Sequence, residues 1–451
     1  MKKLISIVLV AALALTCLAF AGCGAENNEE TSKAAEASKP EVMSGASFAA
    51  SSDLVIDKNA DLSKMKIGLI CLHDENSTYD NNFIQAMKDA QKELGLSDDQ
   101  VLIKTNIPEG AECYDTAAEL ADAGCNFIFA DSFGHESYVI QAAKEFPDVQ
   151  FAHATGTNAQ VENLANYHNA FASIYQGRFL AGVAAGMKLN EMIEAGKIKA
   201  EEAVIGYVGA WPYAEVISGY TSFYLGARYI CPTATMKVTY TNSWFDIALE
   251  REGALSLIKA GCVLISQHAD SEGAPKACEE NNVPNVSYNI STASIAPNTA
   301  IIASKINWTP YYEMAITSVA AGKEFAKDWC GTIETGSVQL TEINEKAAAA
   351  GTAEKIEEVK AKIISGELKV FDTKTFTVKD EATIKTNNDN FVTADSYKTD
   401  ADGHLTSYMA NVYADEAFTP DTDVIKDGEF CDSSFTSAPY FNVIIDGITL
   451  M

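Results

Sequence analysis

Lys66-Ile-Gly-Leu-Ile-Cys-Leu72 is a short apolar run, and the polar residues that follow it lead into a helix-length amphipathic segment, Phe83 to Leu94. Short runs of β-forming residues that alternate with helical segments are typical of strand–helix units. Strands of this kind are buried on both faces and form parallel sheets. The segment therefore predicts an α/β fold that begins near residue 66.

The alternation recurs in two sets, separated by a long helical stretch from Tyr175 to Ala195. The further β-rich runs are Val101–Thr105, Asn126–Ala130 and Val149–His153 before that stretch, and Val204–Val208, Met236–Tyr240, Cys262–Ser266 and Asn285–Asn289 after it. Each set suffices for one parallel sheet with helices on both faces. The sequence thus predicts two Rossmann-like lobes in tandem, and 451 residues also exceed what one core usually supports.

The domain boundaries follow from this pattern and from local composition. The segment from Gly24 to Leu62 is rich in Ala, Ser, Glu and Lys, so it buries too little surface to order itself and is predicted to be a flexible tether. The run Ala300–Trp308 and the helix after it are predicted to cross back to the first lobe. The assignment is 24–62 tether, 63–180 first lobe, 181–302 second lobe, 303–328 return to the first lobe, and 329–451 a C-terminal segment that decorates the lobes and hinge.

The N-terminus is organised like an export signal. Two lysines precede an apolar stretch, and small residues lead up to the cysteine of Phe20-Ala-Gly-Cys23. This end resembles a bacterial lipobox, in which the cysteine is acylated, although Phe replaces the usual Leu. An uncleaved transmembrane helix is the weaker alternative because the run is short. Residues 1–23 are therefore predicted to be a lipoprotein signal, and Cys23 is predicted to anchor the protein on the extracytoplasmic face of the cell membrane.

Net charge and motif content restrict the function. The formal net charge of −29 repels nucleic acid and anionic lipid, which argues against binding to either. The signatures G-x-x-x-x-G-K-[ST], H-E-x-x-H, G-x-S-x-G and G-x-G-x-x-G do not occur. We therefore expect no catalytic residues, no metal and no cofactor.

Candidate site residues follow the predicted strands, because ligands of open parallel sheets bind beyond the carboxyl ends of the strands. These residues are aromatic, acidic or amide-bearing, and Arg178 is the main cation near them. A phosphate or free carboxylate would find little to pair with, whereas each aromatic ring stacked on a base contributes about 1 to 3 kcal/mol. The pattern favours a neutral, partly planar ligand such as a nucleobase, nucleoside or sugar. The predicted ligand-binding residues are Tyr79, Asp80, Asn81, Phe133, Trp211, Glu215, Trp244, Asp246, His268, Asp270 and Asn289.

Several of these residues allow a second interpretation. In Val263-Leu-Ile-Ser-Gln-His-Ala-Asp-Ser-Glu-Gly273, the side chains of His268 and Asp270 occupy alternate positions and can face one side. A pocket wall, a metal or catalytic pair, and a loop hydrogen bond are the three alternatives. The side chains of Trp211 and Trp244 can belong to the core. Asp80 or Asn81, at the start of the first helix, can serve only as its N-cap.

Several longer stretches together resemble the basic membrane protein family of PnrA-like substrate-binding lipoproteins of ABC importers. They are Phe129-Ala-Asp-Ser-Phe-Gly-His135, Ala143-Lys-Glu-Phe-Pro-Asp-Val-Gln-Phe-Ala-His-Ala-Thr-Gly156, Tyr175-Gln-Gly-Arg-Phe-Leu-Ala-Gly-Val-Ala-Ala-Gly186 and Ile205-Gly-Tyr-Val-Gly-Ala-Trp-Pro-Tyr-Ala-Glu-Val216. Four others are similar to the branch with purine-binding members: Ser243-Trp-Phe-Asp246, Gln267-His-Ala-Asp-Ser271, Asn307-Trp-Thr-Pro-Tyr-Tyr312 and Ser437-Ala-Pro-Tyr-Phe441.

The resemblance implies a type I periplasmic-binding-protein fold, in which two lobes joined by crossover strands close on a purine nucleoside or nucleobase. It implies an ABC permease and an ATPase as partners, and we expect a monomer. By position it assigns Tyr79, Phe133 and Trp211 to the base, Asp80 and Asn81 to polar contacts of the first helix, and Trp244, Asp246, His268 and Asp270 to the wall of the second lobe. Ser291 stands where many relatives carry an aspartate that serves ribose hydroxyls, so a bare base fits as well as a nucleoside.

The sequence leaves other functions open. A receptor of the same fold for a sugar or another small neutral ligand, in uptake or in sensing, is one alternative. A nucleoside-hydrolysing surface enzyme is another, and it would need paired carboxylates or a metal cluster at one face of the lobes.

Overall fold

The computed structural model describes residues 48–378, 397–412 and 421–451. The predicted signal, Cys23 and the tether up to residue 47 lie outside the described residues, as do parts of the C-terminal segment. In the described part of the chain, no helix is long and apolar enough to cross a membrane. The eight cysteines within it are all unpaired.

The first sheet has six strands, all parallel. Numbered along the chain, they are β1 (Ile67–Ile70), β2 (Val101–Lys104), β3 (Phe127–Ala130), β4 (Gln150–Ala154), β5 (Tyr167–Ala172) and β11 (Asp328–Gly331). Their order across the sheet is β11-β5-β4-β3-β1-β2. Buried apolar side chains of β1 and β3 form the centre of this lobe, as the apolar runs in the sequence predict.

The second sheet repeats this arrangement with seven strands. They are β6 (Val204–Gly209), β7 (Thr235–Tyr240), β8 (Leu264–His268), β9 (Asn285–Tyr288), β10 (Ala300–Ile306), β12 (Val338–Leu340) and β18 (Ile448–Leu450). The order is β12-β10-β9-β8-β6-β7-β18, and only the edge strand β12 pairs in an antiparallel direction within this sheet. The prediction of an α/β fold with two parallel-sheet lobes is therefore confirmed.

In each sheet, the order in which successive strands are added reverses at one point. In the first sheet the order reverses between β1 and β3, and in the second between β6 and β8. Ligands of doubly wound sheets bind in the crevice that such a switch point leaves at the carboxyl ends of the strands. The topology thus marks two short stretches in each lobe where a ligand site is expected.

Helices cover the sheets and precede or follow each strand. They are α1 (Thr78–Leu94), α2 (Ala111–Asp122), α3 (Glu136–Glu145), α4 (Ala159–Glu162), α5 (Ile174–Glu194), α6 (Ala214–Ile230), α7 (Ile247–Lys259), α8 (Gly273–Asn281), α9 (Thr309–Ala320) and α10 (Thr352–Ile364). Short strands of the C-terminal segment form two small antiparallel sheets: β13 (Tyr397–Thr399), β14 (Leu405–Ala410) and β15 (Thr422–Asp423) in one, and β16 (Ile425–Lys426) and β17 (Glu429–Phe430) in the other.

Local sequence explains how the helices that matter for the site begin and pack. The side chain of Ser77 accepts a hydrogen bond from the backbone N–H of Asp80 and starts α1, and Gly95 ends it with a φ of 68°. Helices α5 and α6 pack so closely that a Cβ on Gly182 would lie 2.0 Å from the carbonyl oxygen of Phe223. Glycine at this position lets α5 join the second lobe.

The lobe boundaries differ from the predicted ones because the chain passes between the lobes three times in its described part. Helix α5, which a boundary at residue 180 would divide, packs against α6 and β10 of the second lobe. The chain returns after β10, since α9 packs on α1 and β11 pairs with β5. It then crosses again, so the segment 329–451, expected only to decorate the lobes, supplies the edge strands β12 and β18.

The end of the predicted tether is packed against the first lobe. Ser51 forms a bridge with Trp329, whose indole N–H donates to the carbonyl oxygen of Asp53 at 3.0 Å. The apolar side chains of Leu54, Ile56 and Leu62 lie against the core of this lobe. Leu54 and Ile56 belong to an apolar run of only three residues and Leu62 stands between polar residues, so composition averaged over 24–62 does not reveal them.

Candidate functional site

The two switch points face each other across a crevice between the lobes. Seven of the predicted site residues meet there, together with side chains of the adjoining loops. The crevice is lined by Leu72, His73, Tyr79, Asp80, Ser132, Phe133 and Thr155 of the first lobe and by Glu215, Trp244, His268 and Asp270 of the second. Leu72 and Ser132 follow β1 and β3, and His268 and Asp270 end and follow β8, so the strand ends position the site.

The lobes touch each other at the crevice. The backbone N–H of Thr78, at the start of α1, donates to the carbonyl oxygen of Asp270 at 2.8 Å. The rings of Phe133 and Tyr213 stack with their centroids 5.4 Å apart. Because of these contacts the crevice itself encloses only about 20 Å³, and the described lobes are in a closed arrangement.

Two larger cavities open from the crevice and share lining residues with it. One of about 240 Å³ forms the outer mouth, where Trp211 and Tyr213 stack at 5.8 Å with planes 10° apart. The other, of about 290 Å³, runs from Phe133 and Glu215 towards the C-terminal segment. The last volume lies just below the range of about 300 to 1,000 Å³ that small-molecule pockets occupy.

Asp80 supplies a carboxylate on the first-lobe side. It accepts hydrogen bonds from the backbone N–H of His73 at 2.7 Å and from the hydroxyl of Ser77 at 2.6 Å. Burial opposes ionisation, but these bonds and the imidazole of His73 outweigh it, so the pKa of Asp80 is lowered. This side chain is therefore an ionised hydrogen-bond acceptor at the floor of the crevice.

Asp80 also belongs to a cluster of side chains of the types that bind metal ions. In the described part of the chain, Cys71, Asp80 and Asp131 place one sulfur or oxygen atom each within 4.8 Å of one another. Burial and the neighbouring charge of Asp80 raise the pKa of Asp131 well above its usual range, and burial does the same to the thiol of Cys71. Both shifts favour the protonated forms, in which the thiol and the carboxyl group act as hydrogen-bonding groups beside Asp80.

His268 and Glu215 form the corresponding polar pair of the second lobe. Nε2 of His268 lies 3.3 Å from Oε1 of Glu215, and the imidazole is 4.8 Å from the ring of Tyr288. Burial and the charge of Arg178 lower the pKa of His268 to about 4, so the imidazole is neutral. Its Nδ1 is buried without a hydrogen-bond partner among the described residues.

Asp270 is a buried carboxyl group at the second switch point. Burial and the nearby carboxylates Glu250 and Asp80 raise the pKa of Asp270 well above its usual range. The side-chain amide of Asn289 donates to its Oδ1 at 3.3 Å. The shift favours the protonated form of Asp270, which can both donate and accept a hydrogen bond in the crevice.

The described residues that line the crevice include no lysine or arginine. His73 and His268 are the lining side chains that could carry a positive charge. Arg178, the cation expected near the strand ends, is buried behind the wall. Its guanidinium stacks 3.3 Å from the ring centre of Tyr288 and donates to the carbonyl oxygen of Gln267 at 3.1 Å. Gln267 in turn donates to two backbone carbonyls of its own loop, so it holds the loop.

Four predicted site residues lie outside the crevice. The side chain of Asp246 accepts from the backbone N–H groups of Ala248 and Leu249 and caps α7. Asn81 accepts from Gln85 one turn along α1. Trp211 lines the outer mouth, and Asn289 contacts the site through Asp270. Asp246 and Asn81 have the helix-capping and helix-surface roles that their positions at helix starts also allow.

The wall that the C-terminal segment adds to the larger cavity is not among the site residues predicted from the sequence. This wall consists of Asn411, Val412, Thr436, Ala438, Pro439, Tyr440 and Asn442. The signal that could have found it is the stretch Ser437–Phe441, which was noted for its resemblance to the purine-binding branch but was not assigned to the site.

Comparison with known proteins agrees with this architecture. The model of the family described as "ABC transporter substrate-binding protein PnrA-like" matches residues 67–374. A purine-binding protein of Brucella abortus (strain 2308) is 32% identical over 312 residues, covering 68% of this chain and 83% of that protein. A relative from Haloferax volcanii, provisionally named an ABC transporter glucose-binding protein, is 34% identical over 224 residues, covering 50% of this chain and 54% of that protein.

Solved structures match the fold. A solute-binding protein of an ABC transporter system from Aeropyrum pernix has a TM-score of 0.56 at 16% identity and covers 71% of this chain and 95% of its own. A similar protein from Conexibacter woesei has a TM-score of 0.55 at 19% identity, over 68% and 98%. The type I periplasmic-binding-protein fold is thus confirmed, and the chain belongs to the PnrA-like family of ABC transporter substrate-binding proteins.

Proposed function

We propose that this protein binds a purine nucleobase or nucleoside in the inter-lobe crevice and delivers it unchanged to the permease and ATPase of an ABC importer. The observation that carries the proposal is the composition of the crevice: aromatic rings, carboxyl groups and a neutral imidazole, with no lysine or arginine among its described lining residues. The name of the Brucella abortus relative, a purine-binding protein, supports the same ligand.

The polar groups suit the edges of a purine, which carry both donors and acceptors. The ionised carboxylate of Asp80 accepts from an exocyclic amine or a ring N–H, and the carboxyl group of Asp270, whose pKa burial raises, donates to a ring nitrogen when it holds its proton. Phe133 and Trp244 supply rings on which a planar ligand stacks. Because the groups come from both lobes, the ligand binds the closed arrangement more tightly and shifts the open–closed balance towards it.

Binding without catalysis is part of this proposal. Nε2 of His268 is hydrogen-bonded to Oε1 of Glu215. No hydroxyl or thiol nucleophile of the described residues is hydrogen-bonded to that imidazole. Catalysis by a hydroxyl or thiol nucleophile that a histidine activates requires such a pair. We also propose that the protein is monomeric and lipid-anchored through Cys23 outside the cell membrane, where it supplies the transporter; a sensing role would use the same crevice.

Isothermal titration calorimetry against adenine, guanine, adenosine, inosine and glucose tests the ligand. We expect a dissociation constant in the micromolar range or below for at least one purine, corresponding to about −8 kcal/mol or better, because stacking and two or three hydrogen bonds contribute together. A binding signal with glucose and with none of the purines would indicate that the ligand is a sugar. The name of the Haloferax volcanii relative favours that alternative. Chromatography of the nucleoside after incubation checks catalysis, since a receptor returns it intact.

A further inference from the structure

The larger cavity continues the crevice into a part of the chain that the family model does not cover. The cavity shares Phe133, Thr155, Glu215 and Trp244 with the crevice, so the two spaces adjoin each other. Its far wall comes from the described residues 411–412 and 436–442, whereas the family match ends at residue 374. This cavity of about 290 Å³ is called the side compartment below.

The far wall is fixed to both lobes. The carboxyl group of Asp432 accepts from the hydroxyl of Ser218 on α6 at 2.6 Å and from the backbone N–H groups of Tyr440 and Phe441. On the other side, the backbone N–H of Ser437 donates to Oδ2 of Asp328 at 3.0 Å, in the first sheet. The loop thus has a defined position beside the crevice when the lobes are closed.

The walls of the side compartment are mainly apolar, with a few amides. The rings of Tyr213, Trp244 and Tyr440 and the side chains of Pro212 and Pro439 form most of the surface. Oδ1 of Asn411 is buried and has no hydrogen-bond partner in the described part of the chain. Glu215 is the one charged residue among the described lining residues, and it is an acid. A charged phosphate has no partner there, whereas an uncharged group with one hydrogen-bond donor does.

We propose that the side compartment is a second ligand subsite, which takes an uncharged substituent carried by the ring bound in the crevice. The C-terminal wall, and Asn411 in particular, then selects substituted purines over the bare base. This inference rests on the proposed function. It names the class of ligand more narrowly: a purine with a neutral substituent larger than hydrogen, either ribosyl or aryl-alkyl.

Calorimetry with adenine, adenosine, N6-benzyladenine and adenosine monophosphate tests the proposal on the full chain. We expect adenosine or benzyladenine to bind at least about tenfold more tightly than adenine, and the monophosphate to bind more weakly than adenosine. Filling the compartment by Ala438→Phe is expected to remove this advantage and to leave adenine affinity within about twofold. Ala438→Ser, a small change at the same position, is expected to retain the tighter binding of the substituted purines.

A second variant separates the contribution of the cavity's shape to affinity from that of hydrogen bonding. It also provides the test if Ala438→Phe does not fold. Asn411→Leu removes the buried oxygen and is expected to weaken adenosine, whose hydroxyls can donate to it, more than benzyladenine. The inference is overturned if adenine binds as tightly as both substituted purines, or if filling the compartment weakens adenine equally; the proposed function stands in both cases. If none of the four compounds binds, the proposed function fails as well.

Discussion

Replacing Asp270 with alanine is expected to weaken purine binding by about tenfold to hundredfold. The side chain is buried at the second switch point, where burial raises the pKa of its carboxyl group, and it lines the crevice together with Trp244. Removing it leaves a polar group of the bound ligand unpaired in a site closed to water, which costs about 1 to 3 kcal/mol. Titration calorimetry of the variant and the wild-type protein with the same purine measures the difference.

Two further variants show whether this effect arises from the crevice. Asp270→Asn keeps a neutral hydrogen-bonding side chain and is expected to lose less affinity than Asp270→Ala. Asp246→Ala is the matched control, since Asp246 was predicted from the sequence to contact the ligand but caps α7 in the structure. It should lower the free energy of unfolding by about 1 kcal/mol and leave affinity unchanged. Equal losses for Asp246→Ala and Asp270→Ala would contradict the assignment of the crevice.

Glu250 gives a large expected effect of pH on stability. Its carboxyl group accepts from the backbone N–H of Ser271, and burial raises its pKa to about 7, above the 4.5 of an exposed glutamate. The folded protein therefore holds this proton more tightly than the unfolded chain between these pH values. The stability that the group contributes is complete below about pH 4.5 and is lost as pH rises through about 7, which amounts to about 3 kcal/mol.

Urea unfolding of the wild-type protein and Glu250→Gln across this pH range measures the effect. The amide does not ionise, so the free energy of unfolding of the wild type should fall relative to that of the variant by about 3 kcal/mol as pH rises. Titrating groups that do not interact with Glu250 contribute equally to both proteins and cancel in the difference, whereas Asp270, whose pKa Glu250 raises, adds to the pH dependence of the wild type. Glu342→Gln changes an exposed glutamate and should leave the profile unaltered. A difference between wild type and Glu250→Gln that is constant with pH would contradict the burial argument.

The strands with unbroken apolar runs could be predicted from the sequence, and those with buried polar residues could not. β5 was missed because His168 and Asn169 interrupt its apolar pattern. In the fold both are buried and paired: the imidazole of His168 bonds to the carbonyl oxygen of Ala326, and the amide of Asn169 bonds to Glu136. Such pairing depends on distant segments, which periodicity along one chain does not reveal.

The site was predictable to the extent that strand ends determine it. The side chains of His268 and Asp270 follow β8 and meet those of α1, as the rule for parallel sheets requires. Helix starts were less informative, because a carboxylate there can cap the helix or face the ligand. Asp80 faces the crevice and Asp246 caps its helix, although both stand near a helix start.

The C-terminal wall lay beyond sequence reasoning for a different reason. Asn411 and Tyr440 reach the cavity from loops whose positions depend on hydrogen bonds such as that between Asp432 and Ser218, more than 200 residues apart along the chain. A resemblance marked the stretch Ser437–Phe441, but no local pattern connects it to the crevice.

Hydrogen–deuterium exchange of the full chain, with and without a saturating purine, shows whether the ligand binds between the lobes. We expect slower exchange on ligand binding in peptides that contain residues 72–80, 211–215 and 268–271, because these segments line the crevice and its mouth. Protection confined to the opposite face of the second lobe, such as the groove beside Phe179, Arg228 and Lys369, with these segments unchanged, would contradict it.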